Sequence, residues 1–85
     1  MLYIGADHRG FKLKEEIKKF LAEKNYQIED VGSFSYDPND DYTDFAKLVA
    51  QKVSEKPEEH KGILICGSGV GVDITANKFH NVRSA

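Results

Sequence analysis

Apolar residues fall along this chain in two kinds of run. Leu2, Tyr3 and Ile4, and later Ile63, Leu64 and Ile65, are short and uninterrupted. That is the pattern of strands buried on both faces in a parallel sheet covered by helices. Between them, Leu13, Ile17, Phe20 and Leu21 recur at helical spacing, with lysine and glutamate on the other positions. This predicts a first helix that starts at Asp7 or His8, buries that apolar stripe, leaves its lysines in solvent and stops at Asn25. Tyr26, Ile28 and Val31, only partly alternating, give a second strand closed by Gly32. Residues 33–41, SFSYDPNDD, carry turn formers at nearly every position and read as a surface loop. Tyr42, Phe45, Ala46, Val49, Ala50 and Val53 mark a second helix, ended by Pro57. A third, short helix follows the glycines after Cys66 and runs to about Phe79, with Asn81 as terminator. Val82, Arg83, Ser84 and Ala85 read as the opening of a fourth strand.

The resulting order, β-α-β-α-β-α-(β), predicts parallel strands joined by right-handed crossovers. The expected fold is a Rossmann- or flavodoxin-like α/β sandwich of three layers with strand order 2-1-3 and the start of a strand 4. In such a sheet the topological switch point lies between strands 1 and 3. Gly5–Gly10 and Cys66–Gly71 then meet in one pocket. Residues 1–85 make a single domain, with no repeat or linker.

Composition narrows the function classes. With 40% hydrophobic and 31% charged residues and a formal charge of −2, there is no basic excess to point to nucleic acid. No apolar stretch is long enough to cross a bilayer, and Met1 leads directly into a strand pattern instead of a signal peptide. Cytoplasmic residence is the expectation. The single cysteine cannot form an intrachain disulfide, which agrees with a reducing compartment and leaves a thiol to be explained.

That thiol belongs to Cys66, which ends the third strand and precedes Gly67, Ser68, Gly69, Val70 and Gly71. Three glycines in five residues let amide N–H groups face a ligand, with a helix N-terminus behind them, as a site for negative charge requires. The residues leave two readings open. Cys66 is either a small hydrophobe ending a buried strand, or a base or nucleophile whose thiolate the loop amides and helix dipole stabilise. The glycines either hold an anion or only permit close packing, and Ser68 could simply cap the helix. Asp7 fits an N-cap or a partner for sugar hydroxyls. His8 and Arg9 fit exposed surface or a phosphate site. Tyr42 fits the core or the pocket wall. GSGVG lacks the lysine of a P-loop. Cys66 has no companion ligands at zinc-like spacing, so no metal is expected.

The segments GADHRGFKLKEEI, DDYTDFA and GILICGSGVGVDITANKF, taken together, resemble the N-terminal half of the type B ribose-5-phosphate isomerases, a family shared with the galactose-6-phosphate isomerase subunits. The likeness runs through essentially the whole chain. It implies aldose–ketose isomerisation of a phosphorylated sugar, D-ribose 5-phosphate to D-ribulose 5-phosphate, through an enediolate and without metal or organic cofactor. It also implies that Cys66 is the base. Members with glycine at that position use a glutamate where Val72 stands here. By the same resemblance, residues Gly67 to Gly71 form an anion hole for the enediolate oxygen, and Asp7 and His8 bind substrate, His8 on the phosphate side. Ser68 takes a hydroxyl position linked to ring opening, and Tyr42 that of a pocket tyrosine. Two departures stand out. Thr43 replaces the proline that usually follows the tyrosine, and the chain ends before the strands that carry the family's ring-opening histidine, an asparagine and the phosphate-binding arginines. The family's site is also built across a dimer interface.

An apolar third strand at the sheet edge needs cover. The expectation is therefore a piece of a longer protein or a member of a homodimer or larger assembly, taking a phosphorylated sugar and neither nucleic acid nor membrane. Other readings are a catalytically silent phosphosugar-binding or assembly module of the same fold and a galactose-6-phosphate isomerase subunit. A flavin or nucleotide binder is disfavoured, because no acidic ribose ligand or stacking aromatic can be placed.

Overall fold

A computed structural model describes residues Met1–Ala85. The apolar run near the N-terminus forms β1 (Leu2–Ala6), the central strand. It pairs in parallel with β2 (Ile28–Asp30) on one side and β3 (Lys61–Ile65) on the other, in the order β2-β1-β3. Burial on both faces explains why β1 is apolar throughout, and Ile4 and Ala6 are sealed. Helix α1 (Phe11–Glu23) lies against the sheet alone. Helices α2 (Tyr42–Glu55) and α3 (Val70–Asn77) pack on each other and on the sheet, with Ala46, Val49, Ala50, Val72 and Ala76 in the core between them. The architecture is the expected flavodoxin-like one.

Helix α1 departs from the simple amphipathic reading. Leu13 and Phe20 are about half exposed, and the one α1 side chain fully withdrawn from solvent is Lys14. Its ammonium donates to both oxygens of Asp30, at 2.8 and 2.7 Å, and to the Ser33 carbonyl, with the Phe11 and Phe34 rings 5.2 and 5.7 Å away. A lysine satisfied in this way can face the sheet, and it displaces Leu13 and Phe20 to the flank. Helix α1 also starts later than Asp7 or His8, with Gly10 as its N-cap. Asp7 Oδ1 accepts the N–H groups of Arg9 and Gly10 at 3.0 and 3.2 Å, which holds a turn before the helix. At the other end the stop is as expected. Asn25 takes φ 66°, its N–H donates to Ala22, and the Tyr26 N–H donates to Leu21, the bonds of a Schellman cap. Tyr26 therefore belongs to the cap, not to β2, and is exposed.

No fourth strand opens after α3. Asn81 turns the chain with φ 64°, and Ser84 exchanges two hydrogen bonds with the Asn77 side chain. Those bonds draw residues 82–85 toward the end of α3 and away from the ladder. The outer edge of β3 is left beside a groove of about 680 Å³, walled by Val49, Val53, Leu64, Ala76 and Val82 among others. No helix is long and apolar enough to cross a membrane.

Candidate active site

Two turns meet at the carboxyl ends of β1 and β3. The Asp7 N–H donates to the Ile65 carbonyl at 3.4 Å, tying the segment after β1 to the one that becomes the glycine loop. The loop before α2 closes the third side. Together they enclose a cleft of about 430 Å³ walled by Asp7, His8, Asp40, Tyr42, Cys66 and Ser68, with Arg9, Asn39, Asp41, Gly67 and Gly71 completing it. This is the switch point that strand order 2-1-3 requires.

Cys66, just past β3, is half-buried, and its Sγ accepts the Gly69 N–H at 3.1 Å. Gly69 makes this possible by adopting φ 82°, a left-handed conformation that favours glycine, immediately before α3 begins. Sulfur is thus bonded by an amide at the positive end of a helix, an arrangement that stabilises negative charge on it. The Val70 N–H is committed to Ser68 Oγ at 3.3 Å, whereas the N–H groups of Gly67 and Ser68 have no acceptor in the chain. Of the loop residues, then, Gly67, Ser68 and Gly71 line the cleft. Gly69 and Val70 stand behind it, and the Val70 side chain points to solvent.

Tyr42 resolves to the cleft wall. Its ring end lies over Gly71, where an added Cβ would come within 2.7 Å of Cε2 and 2.8 Å of the hydroxyl. Thr43, the departure from the family's proline, donates its N–H to Asp41 Oδ1 at 3.0 Å. Asp41 is the N-cap of α2, so a cap bond fixes the tyrosine's entry to the helix where a ring would otherwise do so. That bond, followed by one from the Thr43 side chain, holds the Asp41 carboxyl below the usual carboxylate range. The Arg9 side chain lies across Gly67 and makes no ion pair.

Asp40 is the residue that the sequence reading missed. It passed as one more turn former in a polar loop. Its Oδ1 accepts both the backbone N–H of His8, at 2.9 Å, and the ring Nδ1–H, at 2.8 Å. Tyr36 packs edge-on against the imidazole, with the ring centres 6.0 Å apart. Asp7, His8 and Asp40 bring possible metal-ligand atoms within 4.8 Å of one another. Asp7 Oδ1 and Asp40 Oδ1 are each engaged by N–H groups.

Fold and cleft define an α/β domain with an open cleft, edged by free amide N–H groups, where two strands part company. Residues 2–85 match the family model described as ribose/galactose isomerase, and the chain belongs to that family. The ribose-5-phosphate isomerase B of Mycoplasma genitalium, solved with bound ribulose-5-phosphate, superposes with a TM-score of 0.93 at 47% identity, over 95% of this chain and 53% of that one. The ribose-5-phosphate isomerase B of Escherichia coli is 45% identical over 80 residues, which are 94% of this chain and 52% of the relative. A 4-deoxy-4-sulfo-D-erythrose isomerase from a Clostridium species is 43% identical over 82 residues, 96% of this chain and 51% of the relative. The chain spans about half the length of the curated relatives it matches.

Proposed function

We infer that this chain contributes the base and the anion hole of an aldose–ketose isomerase acting on a phosphorylated pentose, D-ribose 5-phosphate to D-ribulose 5-phosphate. The observation that carries the reading is the half-buried Cys66 sulfur, bonded by an amide at the N-terminus of α3 and flanked by the unpaired N–H groups of Gly67 and Ser68. The thiolate takes the proton from C2 of the open-chain aldose. The C–H electron pair becomes the C1–C2 double bond, and the carbonyl pair moves onto oxygen. The Gly67 and Ser68 N–H groups receive that enediolate oxygen, a contribution that can reach about 3 kcal/mol for each well-placed donor. A proton passes from the C2 hydroxyl to the C1 oxygen, and return of the carbon-bound proton from the thiol to C1, as the C2 oxygen pair forms the new carbonyl, yields the ketose. Val72, where other members of the family are expected to carry a glutamate base, is apolar and buried, which leaves that role to Cys66.

The Asp7 carboxylate serves sugar hydroxyls, the Tyr42 hydroxyl lines the same wall, and His8 with the neighbouring Arg9 faces the phosphate. The sulfo-sugar isomerase among the relatives supports the same proton transfer on a sugar carrying a different anion. Ring opening and the remaining phosphate contacts fall to groups supplied by a further segment or by a partner copy in a dimer or larger assembly.

The half-length match favours one other reading, a catalytically silent phosphosugar-binding module. A coupled assay for ribulose 5-phosphate on this chain, alone and with the C-terminal half of the Mycoplasma relative added, separates the two. Activity that Cys66→Ala lowers by about 10²–10⁴-fold is the expected result. Full activity in Cys66→Ala removes the thiolate from the mechanism, and sugar-phosphate binding without turnover in either mixture supports the silent module.

A further inference from the structure

Asp40 uses only half of its carboxylate. Oδ1 holds the His8 backbone and ring, while Oδ2 is buried with no hydrogen-bond partner, on a side chain that is 10% exposed. A carboxylate oxygen kept from both water and donors is unfavourable, and such a group in a folded protein calls for a partner. Asp40 lines the cleft beside Asp7, Cys66 and Ser68, so the missing donor has a place to come from. We propose that Asp40 is a substrate-binding residue of this site, fixing His8 through Oδ1 and accepting a sugar hydroxyl through Oδ2. The proposal rests on the phosphosugar reading above.

The chemistry selects the ligand group. A phosphate offers a carboxylate only repulsion, whereas each sugar hydroxyl offers an O–H. Oδ2 therefore marks the hydroxyl-bearing stretch of the ligand and not its anionic end. The Oδ1 contact has a second consequence. A ring nitrogen 2.8 Å from a carboxylate oxygen carries the proton, so Nδ1–H is fixed and Nε2 is the ring nitrogen left for other contacts.

Asp40→Asn separates the two roles. Two N–H donors from His8 converge on one position, so the asparagine must place its carbonyl there and its NH2 where Oδ2 was. Ring ¹⁵N signals should therefore report an unchanged His8 tautomer. Affinity for ribulose 5-phosphate, by calorimetry or NMR titration of the 85-residue chain, should fall by about 10–100-fold, the loss typical of a hydrogen bond to a charged group. Affinity for inorganic phosphate should stay within about twofold of the parent. Asp40→Ala should disturb the ring signals as well as the affinity.

Four outcomes overturn the proposal. Ribulose 5-phosphate bound by Asp40→Asn as tightly as by the parent would show that Oδ2 takes no hydroxyl from the ligand. Equal losses for both probes would mean that Asp40 acts on the anion through His8 alone, and a shifted His8 ring in Asp40→Asn would break the division of roles. A parent chain that binds inorganic phosphate but not ribulose 5-phosphate refutes the phosphosugar reading itself, and the Asp40 contact with it.

Discussion

Asp30 and Asp40 stand on either side of one loop, and their side chains are almost equally withdrawn from solvent, at 12% and 10% exposure. Their surroundings differ completely. Asp30 receives the Lys14 ammonium on both oxygens, the Lys18 ammonium at 2.8 Å and the Gly32 N–H at 2.8 Å. Asp40 receives the N–H groups of one residue on one oxygen and nothing on the other. The first carboxylate locks α1, β2 and the start of the loop into one unit. The second faces the cleft with bonding capacity to spare. Buried polar groups that are saturated inside the chain belong to the scaffold, and those left open at a cleft wall point to a ligand.

The largest expected effect lies on the saturated side. Asp30→Asn leaves the fully buried Lys14 ammonium with only the exposed Glu15 carboxylate, at 3.9 Å, as counter-charge and should cost about 3–5 kcal/mol in urea denaturation. Lys14→Met should cost less, about 1–3 kcal/mol, because Asp30 keeps Lys18 and the Gly32 N–H while only the Ser33 carbonyl loses its donor. Burial pushes the Asp30 carboxyl up, but the Lys14, Lys18 and Gly32 hydrogen bonds outweigh it and hold it below the usual range. A depressed carboxyl stabilises the fold above its unfolded value of about 3.9, and that stability is lost as pH falls through the lower folded value. Parent stability should therefore drop below about pH 4, and in Asp30→Asn this component of the slope should vanish. A parent curve that is flat across that window would place the network outside the stability balance. Lys18 is raised, chiefly by its hydrogen bond to Asp30, so its share is present below about pH 10.4 and lost above it.

Gly71→Ala tests the open side. The new methyl meets the far end of the Tyr42 side chain, which can swing away, and the residue lies in a helix, where alanine is favoured over glycine by up to about 1 kcal/mol. Stability should hardly change. Displacing the Tyr42 hydroxyl should weaken ribulose 5-phosphate binding by about 2–10-fold, the range for one neutral hydrogen bond. Unaltered affinity would return Tyr42 to a packing role. A large stability loss would erase the distinction between scaffold and cleft that Asp30 and Asp40 suggest.

Much of this division is readable from the residues, and the exceptions have a common cause. The uninterrupted apolar runs and the crossovers of helical length point to the parallel sheet and its order. The order then brings the two glycine-bearing turns together. Lys14 and Asp40 escape because each is a polar residue among similar neighbours, one in a run of lysines and glutamates and the other in a run of turn formers. Their importance comes from partners distant in sequence, Asp30 and His8, and no local period encodes those contacts. The missing fourth strand has the same origin, since the Asn77–Ser84 exchange competes with the ladder and leaves no trace in a hydrophobicity pattern.

Asp41 supplies the smallest effect and a control, because it adjoins Asp40 yet acts through solvent-exposed backbone. Its Oδ1 accepts the Thr43 N–H as the N-cap of α2, the helix that carries Tyr42 into the cleft. Asp41→Ala should lower the melting temperature by roughly 4–8 °C, the usual consequence of losing a cap in a domain of this size. Asn caps about as well as Asp, so Asp41→Asn should recover most of the loss and forfeit only the favourable charge at the helix N-terminus. The Thr43 bonds keep the Asp41 carboxyl depressed, so the remaining difference between parent and Asp41→Asn should be present at neutral pH and fade below about pH 4. If Asp41→Asn melts as low as Asp41→Ala, charge and not capping holds the start of α2. Thr43 would then not replace the proline that the family places after its tyrosine.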